Sequence, residues 1–322
     1  MFLFYPPTFF WDLTIALLVA VSLCVTLGCI IWIRRKSGCA CRKILVSTVA
    51  ALSTMIGSLV LYGTFIEPQM ITVTERTIDL PVTEPLTIAV VSDMHVGPFK
   101  GALFMRRLVR TINNTLPDIV LLVGDYIYNE DAILSDLDPL EDIRSSVGVF
   151  GVLGNHDQGQ YANIFGKRYF TFNQGEDIAD ALESLGIRML RNEHEVLSIG
   201  LDSIAIAGID DLWTADADLD AALAEIPAAS PVILLSHNPT VIKELSEKGV
   251  DLVVSGHTHG GQIRLPFIGP LITLPIGISQ DYDQGIFAID DGTTLAITRG
   301  AGETWARSRL FAWPEIMLLT VQ

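Results

Sequence analysis

Five apolar runs of strand length in this chain each end in polar residues drawn from Asp, Asn and His. Their composition predicts buried strands, and the amphipathic segments between them predict helices, so the chain should form an α/β domain. Because ligands of such sheets gather at the carboxyl ends of strands, we expect these ends to converge. The runs are 86–91, 118–123, 147–153, 231–235 and 250–254, and the residues that follow them include Asp93, His95, Asp125, Asn155, His156, His237, His257 and His259.

Histidine is concentrated at these strand ends, where five of the chain's six histidines lie. The sixth, His194, is predicted to lie in a hairpin turn on the surface. A lone histidine at a strand end is more often a hydrogen-bonded structural residue than a ligand. Five of them beside two aspartates and an asparagine instead indicate a metal site, since neutral imidazole is a common metal ligand.

The donor types narrow the choice of metal. Imidazole combined with carboxylate oxygen suits Zn, Mn or Fe better than Ca or Mg, which prefer all-oxygen sites. Eight candidate side chains exceed what one ion can use, so two divalent ions that share a carboxylate are the economical interpretation. Such a pair suits phosphate ester hydrolysis, because it clamps the attacking and leaving oxygens of an in-line displacement.

Two other classes of function are disfavoured: hydrolysis by a serine or cysteine nucleophile, and nucleic-acid binding. The chain has no Gly-x-Ser-x-Gly motif, and its four cysteines all lie between Cys24 and Cys41, far along the chain from the histidines. The 37 acidic residues outnumber the 21 basic ones, for a formal net charge of −16. Such a surface repels the phosphate backbone, so no nucleic acid partner is expected, although the same acidity also serves solubility.

The front of the chain predicts a membrane anchor. Residues 13–33 and 44–66 contain no Asp, Glu, Lys or Arg, and each has about the 20 residues that cross a bilayer. Residues 34–43 carry five cations, whereas no Lys or Arg precedes the first run. This asymmetry predicts a cytoplasmic loop and an extracytoplasmic C-terminal domain. Since the first run lacks the basic leader of a cleavable signal peptide, we expect it to stay in the inner (plasma) membrane, giving a multi-pass protein.

These features divide the chain into three parts. Residues 1–66 are expected to form a transmembrane helical hairpin, residues 67–85 a connector that can add an edge strand, and residues 86–322 the α/β domain. Within that domain, Leu219, Leu223 and Ile226 predict one face of a helix. A further helix is predicted to begin at Asn238 and Pro239 and to end before Gly249.

The strand-end motifs resemble the five blocks of calcineurin-like metallophosphoesterases in order, spacing and identity, across residues 86–300. The run after the last block and the late Trp-Pro-Glu-Ile (313–316) are similar to a bacterial branch with N-terminal membrane or export segments. That branch includes a cell-wall phosphoesterase and hydrolases of UDP-diacylglucosamine. The motifs are Ser-Asp-Met-His (92–95), Gly-Asp (124–125), Gly-Asn-His-Asp (154–157), Ser-His-Asn-Pro (236–239) and Gly-His-Thr-His-Gly-Gly (256–261).

The resemblance implies a two-sheet αββα sandwich, preceded here by the two-helix transmembrane hairpin, with the site at one edge. His156 would lie beside the scissile phosphate, where it stabilises charge or protonates the leaving oxygen while a metal-bridging hydroxide attacks phosphorus. Asp157 is expected to orient His156 or its loop rather than to bind metal. The family pattern assigns Asp93, His95, Asp125 and His259 to one ion, and Asp125, Asn155, His237 and His257 to the other, with Asp125 bridging.

The segment after the third block, residues 161–173, is rich in aromatic side chains and carries two cations. We expect it to shape a substrate pocket or to dip towards lipid, and a surface loop pinned by its own aromatic residues is the alternative. The residues concerned are Tyr161, Phe165, Lys167, Arg168, Tyr169, Phe170 and Phe172.

Three functions are compatible with these features. The first is a membrane-anchored two-metal phosphoesterase, acting outside the inner membrane on a phosphorylated lipid, a nucleotide-linked sugar or an envelope intermediate. The second is a UDP-2,3-diacylglucosamine pyrophosphate hydrolase of lipid A synthesis, which would need the domain in the cytoplasm, against the charge asymmetry. The third is a non-catalytic scaffold with the phosphoesterase fold, which the complete set of candidate ligands disfavours.

Overall fold

The computed structural model describes residues 6–35, 38–162, 168–214, 216–271, 278–279, 281–289 and 292–322. The helices are α1 (Pro6–Arg35), α2 (Ala40–Leu61), α3 (Ala102–Asn114), α4 (Gly175–Ser184) and α5 (Leu219–Leu223). The first strands are β1 (Thr72–Ile78), β2 (Leu86–Val91), β3 (Ile119–Val123), β4 (Gly148–Val152), β5 (Gln160–Ala162), β6 (Arg168–Phe170), β7 (Arg188–Met189) and β8 (Glu193–Ile199). The others are β9 (Asp202–Gly208), β10 (Val232–Leu235), β11 (Leu252–Ser255), β12 (Arg264–Leu265), β13 (Gly269–Pro270), β14 (Gly285–Ala288), β15 (Thr294–Ile297) and β16 (Glu315–Val321).

Two six-stranded sheets form the α/β part of the molecule. The first has the order β1-β16-β2-β3-β4-β7, with β2, β3, β4 and β7 parallel to one another. The second has the order β14-β15-β11-β10-β9-β8, with β15, β11, β10 and β9 parallel. Strand β1 lies at the edge of the first sheet, parallel to β16, with Thr72 opposite Glu315.

The two sheets pack face to face, and helices cover their outer faces. In β2, Ile88 and Val90 point into the core between the sheets, where they join Ile206 of β9 and Leu235 of β10. The alternate residue Ala89 points outwards, to the layer formed by α3 and α4. Central strands are therefore buried on both faces, which explains why they are continuous apolar runs. The αββα sandwich predicted from the sequence is confirmed.

The parallel strands carry their carboxyl ends to one edge of the sandwich. Strands β2, β3 and β4 are neighbours in the first sheet, and β10 and β11 are neighbours in the second. The side chain of His237, just after β10, crosses between the sheets, where its Nδ1 donates to the Val123 carbonyl of β3 at 2.8 Å. The five polar motifs consequently meet at this edge.

Two predicted helices of the domain are shorter than expected. Helix α5 ends at Leu223, because Glu225 adopts a left-handed φ of 63° and Pro227 disfavours helical geometry at the preceding residue. Asn238 does cap the next segment, since its Oδ1 accepts from the Thr240 amide at 3.0 Å. That segment is a 3₁₀ turn, Pro239–Glu244, rather than a helix reaching towards Gly249.

The helices α1 and α2 pack against each other and are long and apolar enough to cross a membrane. Their contact uses small polar residues: Ser53 Oγ donates to the Ser22 carbonyl at 3.0 Å, and the Thr26 and Thr54 hydroxyls lie 3.1 Å apart. Of the most apolar stretch of each helix, only 11% is buried in α1 and 6% in α2. A helix that is apolar all round needs an apolar environment, so this pair indicates membrane association.

Candidate metal centre

The eight predicted site residues all lie at the carboxyl edge of the sheets. Three overlapping groups of side chains could each hold a metal ion, because the ligand atoms within each group lie within 4.8 Å of one another. The groups are Asp93, His95 and His259; His95, Asp125 and His156; and Asp125, His237 and His257.

Asp125 occupies the middle of this arrangement. Its Oδ2 lies 3.5 Å from His95 Nε2 on one side and 3.2 Å from His237 Nε2 on the other. Its Oδ1 accepts from the His156 amide at 2.9 Å, which fixes the orientation of the carboxylate. One carboxylate oxygen therefore faces two clusters of imidazoles at once.

Each cluster is tight. On the first side, Asp93 Oδ1 lies 3.3 Å from His259 Nε2, and the Nε2 atoms of His95 and His259 are 3.1 Å apart. On the second side, His257 Nδ1 lies 3.3 Å from His237 Nε2. Nitrogen atoms at such separations face a common point, as ligands of one ion do.

Three of the histidines are held in the tautomer that suits metal binding. The Nδ1 atoms of His95, His156 and His237 lie 3.1, 2.7 and 2.8 Å from the carbonyl oxygens of Ile127, Tyr128 and Val123, respectively. Since a carbonyl only accepts, each Nδ1 carries the hydrogen. In the neutral ring, Nε2 then presents its lone pair to the centre, and this outer hydrogen bond is typical of metal-bound histidine.

The backbone that presents these side chains is strained. Asp93, His95, Asp125, His257 and His259 all have φ between 46° and 69°, in the left-handed region that residues other than glycine rarely adopt. Such strain persists where the surrounding structure overdetermines it, and it clusters at functional sites. The tight turns place two or more side chains from one short loop towards the same point.

Burial and charge set the protonation of the centre. Burial, helped by the charge of neighbouring histidines, lowers the pKa of His95 and of His257 to about 3, so both rings stay neutral near neutral pH. Burial opposes a charge on His237 as well, but the carboxylates of Asp125 and Asp93 outweigh it and raise the pKa of His237 well above its usual range. A proton on His237 thus offsets the buried carboxylates, which is the charge a bound cation would supply instead.

Asn155 provides an independent test of whether a cation fits. Its Nδ2 donates to the Gln160 carbonyl at 2.6 Å, whereas its buried Oδ1 has no hydrogen-bond partner among the described residues. Buried polar atoms of this kind are rare unless an ion or water satisfies them, so the donor set fits divalent metal ions of the Zn, Mn or Fe type.

His156 lies beside the ligand clusters but has its own environment. Its ring packs edge-on against His95 at 4.5 Å and against Tyr161 at 4.6 Å, and Tyr169 stacks on Tyr161. The Nε2 atom lies 3.5 Å from the Thr304 hydroxyl. Tyr161 of β5 therefore contacts the proposed catalytic residue, and Tyr169 of β6 contacts Tyr161. Phe165 and Lys167 of the aromatic segment lie outside the described residues.

Asp157 organises two loops of the centre. Its Oδ2 accepts from the amides of Asp125 and Gly154 at 2.9 and 2.8 Å, and its Oδ1 accepts from Tyr126 and Ile127 at 2.9 and 3.2 Å. Because both oxygens accept from backbone donors, Asp157 positions the loops after β3 and β4, and the second of these loops carries His156.

Several residues of the centre were missed by the sequence interpretation. Asp211 is buried with Oδ2 unpartnered among the described residues, and burial raises its pKa to about 6. Trp213 contacts the His257 ring edge-on at 4.9 Å, and Arg168 lies over the Trp213 ring. The sequence did contain a signal, because Asp210 and Asp211 follow β9 after one further residue. His194, expected in a hairpin turn, lies within β8 instead, where Nδ1 donates to the Ala222 carbonyl at 3.0 Å.

Comparison with known proteins identifies the family. The family model described as calcineurin-like phosphoesterase matches residues 86–261, more than half of the chain. The metallophosphoesterase YkuE of Bacillus subtilis is 32% identical over 269 residues, which cover 81% of this chain and 89% of that protein.

Two further relatives bear on substrate and location. The UDP-2,3-diacylglucosamine pyrophosphatase LpxG of Chlamydia trachomatis is 28% identical over 325 residues, covering 85% of this chain and 97% of that protein. A Danio rerio protein named transmembrane protein with metallophosphoesterase domain is 30% identical over 244 residues, covering 72% of this chain but only 52% of that longer relative. The chain therefore belongs to the calcineurin-like phosphoesterase family and is a metal-dependent phosphoester hydrolase.

Proposed function

We propose that this chain is a membrane-anchored phosphoesterase that uses two divalent metal ions to hydrolyse a phosphate ester or pyrophosphate. The substrate is a lipid, a nucleotide-linked sugar or another envelope intermediate. The observation that carries the proposal is the position of Asp125 Oδ2, 3.5 Å from His95 Nε2 and 3.2 Å from His237 Nε2. A carboxylate oxygen between two imidazole clusters is the arrangement by which a pair of ions shares one ligand.

The proposed ligand sets follow the two clusters. Two bound ions would supply Lewis acidity at the phosphoryl oxygens and lower the pKa of a water molecule. The shared carboxylate fixes the spacing of the two sets, and the carbonyl partners of His95 and His237 hold the imidazoles in place. One set is Asp93, His95, Asp125 and His259, and the other is Asp125, Asn155, His237 and His257.

His156 is the proposed catalytic residue that moves a proton. The hydrogen bond from Nδ1 to Tyr128 aims Nε2 away from the protein backbone and towards the edge of the ligand clusters. From there, Nε2 can stabilise the charge that develops on phosphate or deliver a proton to the leaving oxygen. The Thr304 hydroxyl lies 3.5 Å from the same Nε2 atom.

The two apolar helices are the proposed anchor, and their charges favour a domain outside the cytoplasm. Arg34 and Arg35 end α1, and Arg42 and Lys43 lie in the first turn of α2, so the cations gather at the far end of the pair. The opposite ends contact the α/β domain, as the stacking of Trp11 on Trp305 demonstrates. By the positive-inside rule, the cationic end lies in the cytoplasm and the domain on the outer side of the inner membrane. This division corresponds to a hairpin (1–66), a connector (67–85) and a catalytic domain (86–322).

A second candidate is hydrolysis of UDP-2,3-diacylglucosamine. The similarity to LpxG along nearly the whole of that relative favours it. It requires the domain in the cytoplasm, which the charge asymmetry opposes. Purified chain that released UMP from UDP-2,3-diacylglucosamine faster than it hydrolysed simple aryl phosphates would select this candidate.

Three single substitutions in the full chain, purified in detergent and supplied with Mn, test the proposal. Asp125→Asn should lose both metal and hydrolysis of bis(4-nitrophenyl) phosphate and 4-nitrophenyl phosphate, because the ligand shared by both clusters is weakened. His156→Gln should keep the metal content, measured by plasma mass spectrometry, and lose about 10²–10⁴-fold in kcat. The control His194→Gln alters a histidine bonded to Ala222, away from the clusters, and should keep both.

The result that contradicts the proposal is hydrolysis at the unsubstituted rate by both Asp125→Asn and His156→Gln. Two metal ions per chain in the unsubstituted protein, and fewer in Asp125→Asn, are expected. Loss of activity in His194→Gln as well would mean that the assay reports folding rather than chemistry.

A further inference from the structure

Strands β5 and β6 form a short antiparallel pair, the β5–β6 pair, that follows the loop carrying Asn155 and His156. Gln160, the first residue of β5, is bonded to Asn155 twice: its amide donates to the Asn155 carbonyl at 2.7 Å, and its carbonyl accepts from Asn155 Nδ2 at 2.6 Å. Beyond β6, the Thr171 amide donates to the Gly159 carbonyl at 2.8 Å. The β5–β6 pair is therefore attached to the loop that supplies a candidate metal ligand and the proposed catalytic residue.

The β5–β6 pair reaches the candidate metal centre at two places. Through Tyr161 it contacts His156, as described above. Through Arg168 it reaches the second cluster of ligands, because the guanidinium lies over Trp213, 4.4 Å from the ring centroid, and Trp213 meets the His257 ring edge-on at 4.9 Å. The β5–β6 pair thus extends from the proposed proton donor to a candidate ligand of the second ion.

Arg168 brings a positive charge to this edge of the centre without a carboxylate partner. Its side chain is exposed, and among the described residues no carboxylate forms an ion pair with it, whereas the neighbouring Arg191 pairs with both Glu176 and Asp210. Burial and the charge of His237 lower the pKa of His257, and the charge of Arg168 adds to that shift. In a chain with 37 acidic and 21 basic residues, such an arginine is available to an anion from outside the chain.

The stacking on Trp213 prepares the guanidinium to bind a phosphate group. A guanidinium stacks through its flat face, so the N–H groups at its edge stay free. These N–H groups form a planar fork that matches two oxygens of one phosphate. Because Trp213 contacts both Arg168 and His257, the fork lies one aromatic ring away from the candidate ligands.

This position distinguishes two classes of substrate. In a pyrophosphate, one oxygen atom joins the reacting phosphate to a second phosphate, so a charged group always lies next to the reacting one. A simple phosphate ester carries no such neighbour, and the fork of Arg168 would then face water.

We infer that Arg168 binds a second phosphate of the substrate, adjacent to the phosphate held at the metal centre, and that Trp213 holds the guanidinium in place for this contact. The inference rests on the proposed function, since it selects pyrophosphates over simple phosphate esters as substrates of the same centre. Arg168 is a binding residue in this role, and the proton transfer stays with His156.

Binding of two phosphonates tests the inference without requiring turnover. The probes are the symmetrical dimethyl methylenediphosphonate, whose carbon bridge resists hydrolysis, and methyl methylphosphonate, which is half of that molecule with a single phosphorus atom. The full Mn-loaded chain in detergent is titrated with each probe by calorimetry. The diphosphonate should bind about 10–100-fold tighter, the range expected for hydrogen bonds between charged groups.

Two substitutions and a matched control assign this advantage to Arg168. Arg168→Gln should reduce the advantage by about tenfold or more, and Arg168→Lys, which keeps the charge without the planar fork, should retain an intermediate advantage. Because Arg168 is exposed, both variants should fold. Arg76→Gln removes the same charge from an exposed position of β1, where Arg76 donates to the Glu75 carbonyl, and should keep the full advantage.

Equal affinity for the two phosphonates in the unsubstituted chain would overturn the inference, as would a full advantage in Arg168→Gln. An equally large loss in Arg76→Gln would also overturn it, because net charge rather than a contact at Arg168 would then explain the preference. The hydrolysis assays on Asp125 and His156 test the two-metal chemistry separately, so a failure of the proposed function and a failure of this inference are distinguishable.

Discussion

Asp157 is a buried side chain that fixes the positions of two loops of the proposed metal centre relative to each other. Its carboxylate accepts four backbone amides, two of them from Asp125 and Gly154 at the centre of the ligand clusters. Its two oxygens satisfy these four buried N–H donors, and an unsatisfied buried donor costs about 1–3 kcal/mol. The position of Asp125 thus depends on a residue that touches neither metal nor substrate.

The substitution Asp157→Asn should therefore destabilise the chain by about 3 kcal/mol. An amide keeps one accepting oxygen but turns its NH₂ group towards two backbone N–H donors. The measurement is urea unfolding in detergent, followed by tryptophan fluorescence. Asp180→Asn, at an exposed position of α4, is the matched control and should change stability by no more than about 0.5 kcal/mol. Equal stability of the two variants would contradict the role of Asp157.

At the residue scale, the sequence predicted the candidate ligands but not the residues that contact them from neighbouring loops. Ligands such as Asp125 and His237 could be recognised because each follows a buried strand within a few residues, and that pattern is local. The guanidinium of Arg309 and the hydroxyl of Thr304 reach the centre from a loop without such a pattern. Their positions depend on the packing of residues 302–313, the loop before β16, against residues more than 200 positions earlier, such as Gly63.

At the scale of the elements, the turn after β11 fits against the loop after β2. The Gly256 amide donates to the His237 carbonyl at 3.1 Å, and the His257 amide lies 3.1 Å from both oxygens of Asp93. A Cβ atom on Gly256 would lie 2.5 Å from Asp93 Oδ2. Only glycine lets the two loops approach closely enough for Asp93 and His259 to share a cluster.

We expect Gly256→Ala to lower kcat/KM for bis(4-nitrophenyl) phosphate by about 100-fold. The methyl group displaces the Asp93 carboxylate, and a shift of about 1 Å at a reacting centre can have this effect. The control is Gly28→Ala in α1, where nothing lies within 4 Å of the added Cβ. Unchanged kinetics in Gly256→Ala would show that the loops tolerate separation.

The elements themselves were predictable to different extents. Strands β2, β3, β10 and β11 stand out because they are buried on both faces and consist almost entirely of apolar residues. The pairing of β1 with β16 joins segments about 240 residues apart, and local periodicity does not specify it. The early end of α5 depends on Glu225 and Pro227, which flank Ile226, the last residue of the predicted apolar face. The apolar spacing alone therefore did not indicate that the helix ends at Leu223.

At the scale of the whole molecule, the apolar helix pair and the catalytic domain act as one oriented unit. The Ala312 amide donates to Glu67 Oε1 at 2.7 Å, and Lys100 donates to the Pro68 carbonyl while pairing with Glu303 at 3.2 Å. These buried contacts fix the segment after α2 to the domain. The position of the proposed metal centre relative to the helix pair is consequently set by the fold.

Reporter fusions test the orientation of this unit. A phosphatase reporter that folds only outside the cytoplasm should be active when fused after Gln322 and inactive when fused at Gly38, because the proposed orientation keeps the cationic ends of α1 and α2 inside. A cytoplasmic fluorescent reporter should give the opposite pattern. Activity at Gly38 with none at Gln322 would reverse the orientation and favour the hydrolysis of UDP-2,3-diacylglucosamine.

The sharing of Asp125 by two cations is the central feature of the proposed metal centre. Anomalous diffraction from crystals of the Mn-loaded full chain, recorded on both sides of the Mn absorption edge, measures this directly. We expect two peaks about 3.5–4 Å apart. One should lie beside Asp93, His95 and His259, the other beside Asn155, His237 and His257, with a carboxylate oxygen of Asp125 between them. A single peak, or two peaks that Asp125 does not connect, would contradict the proposed two-metal centre.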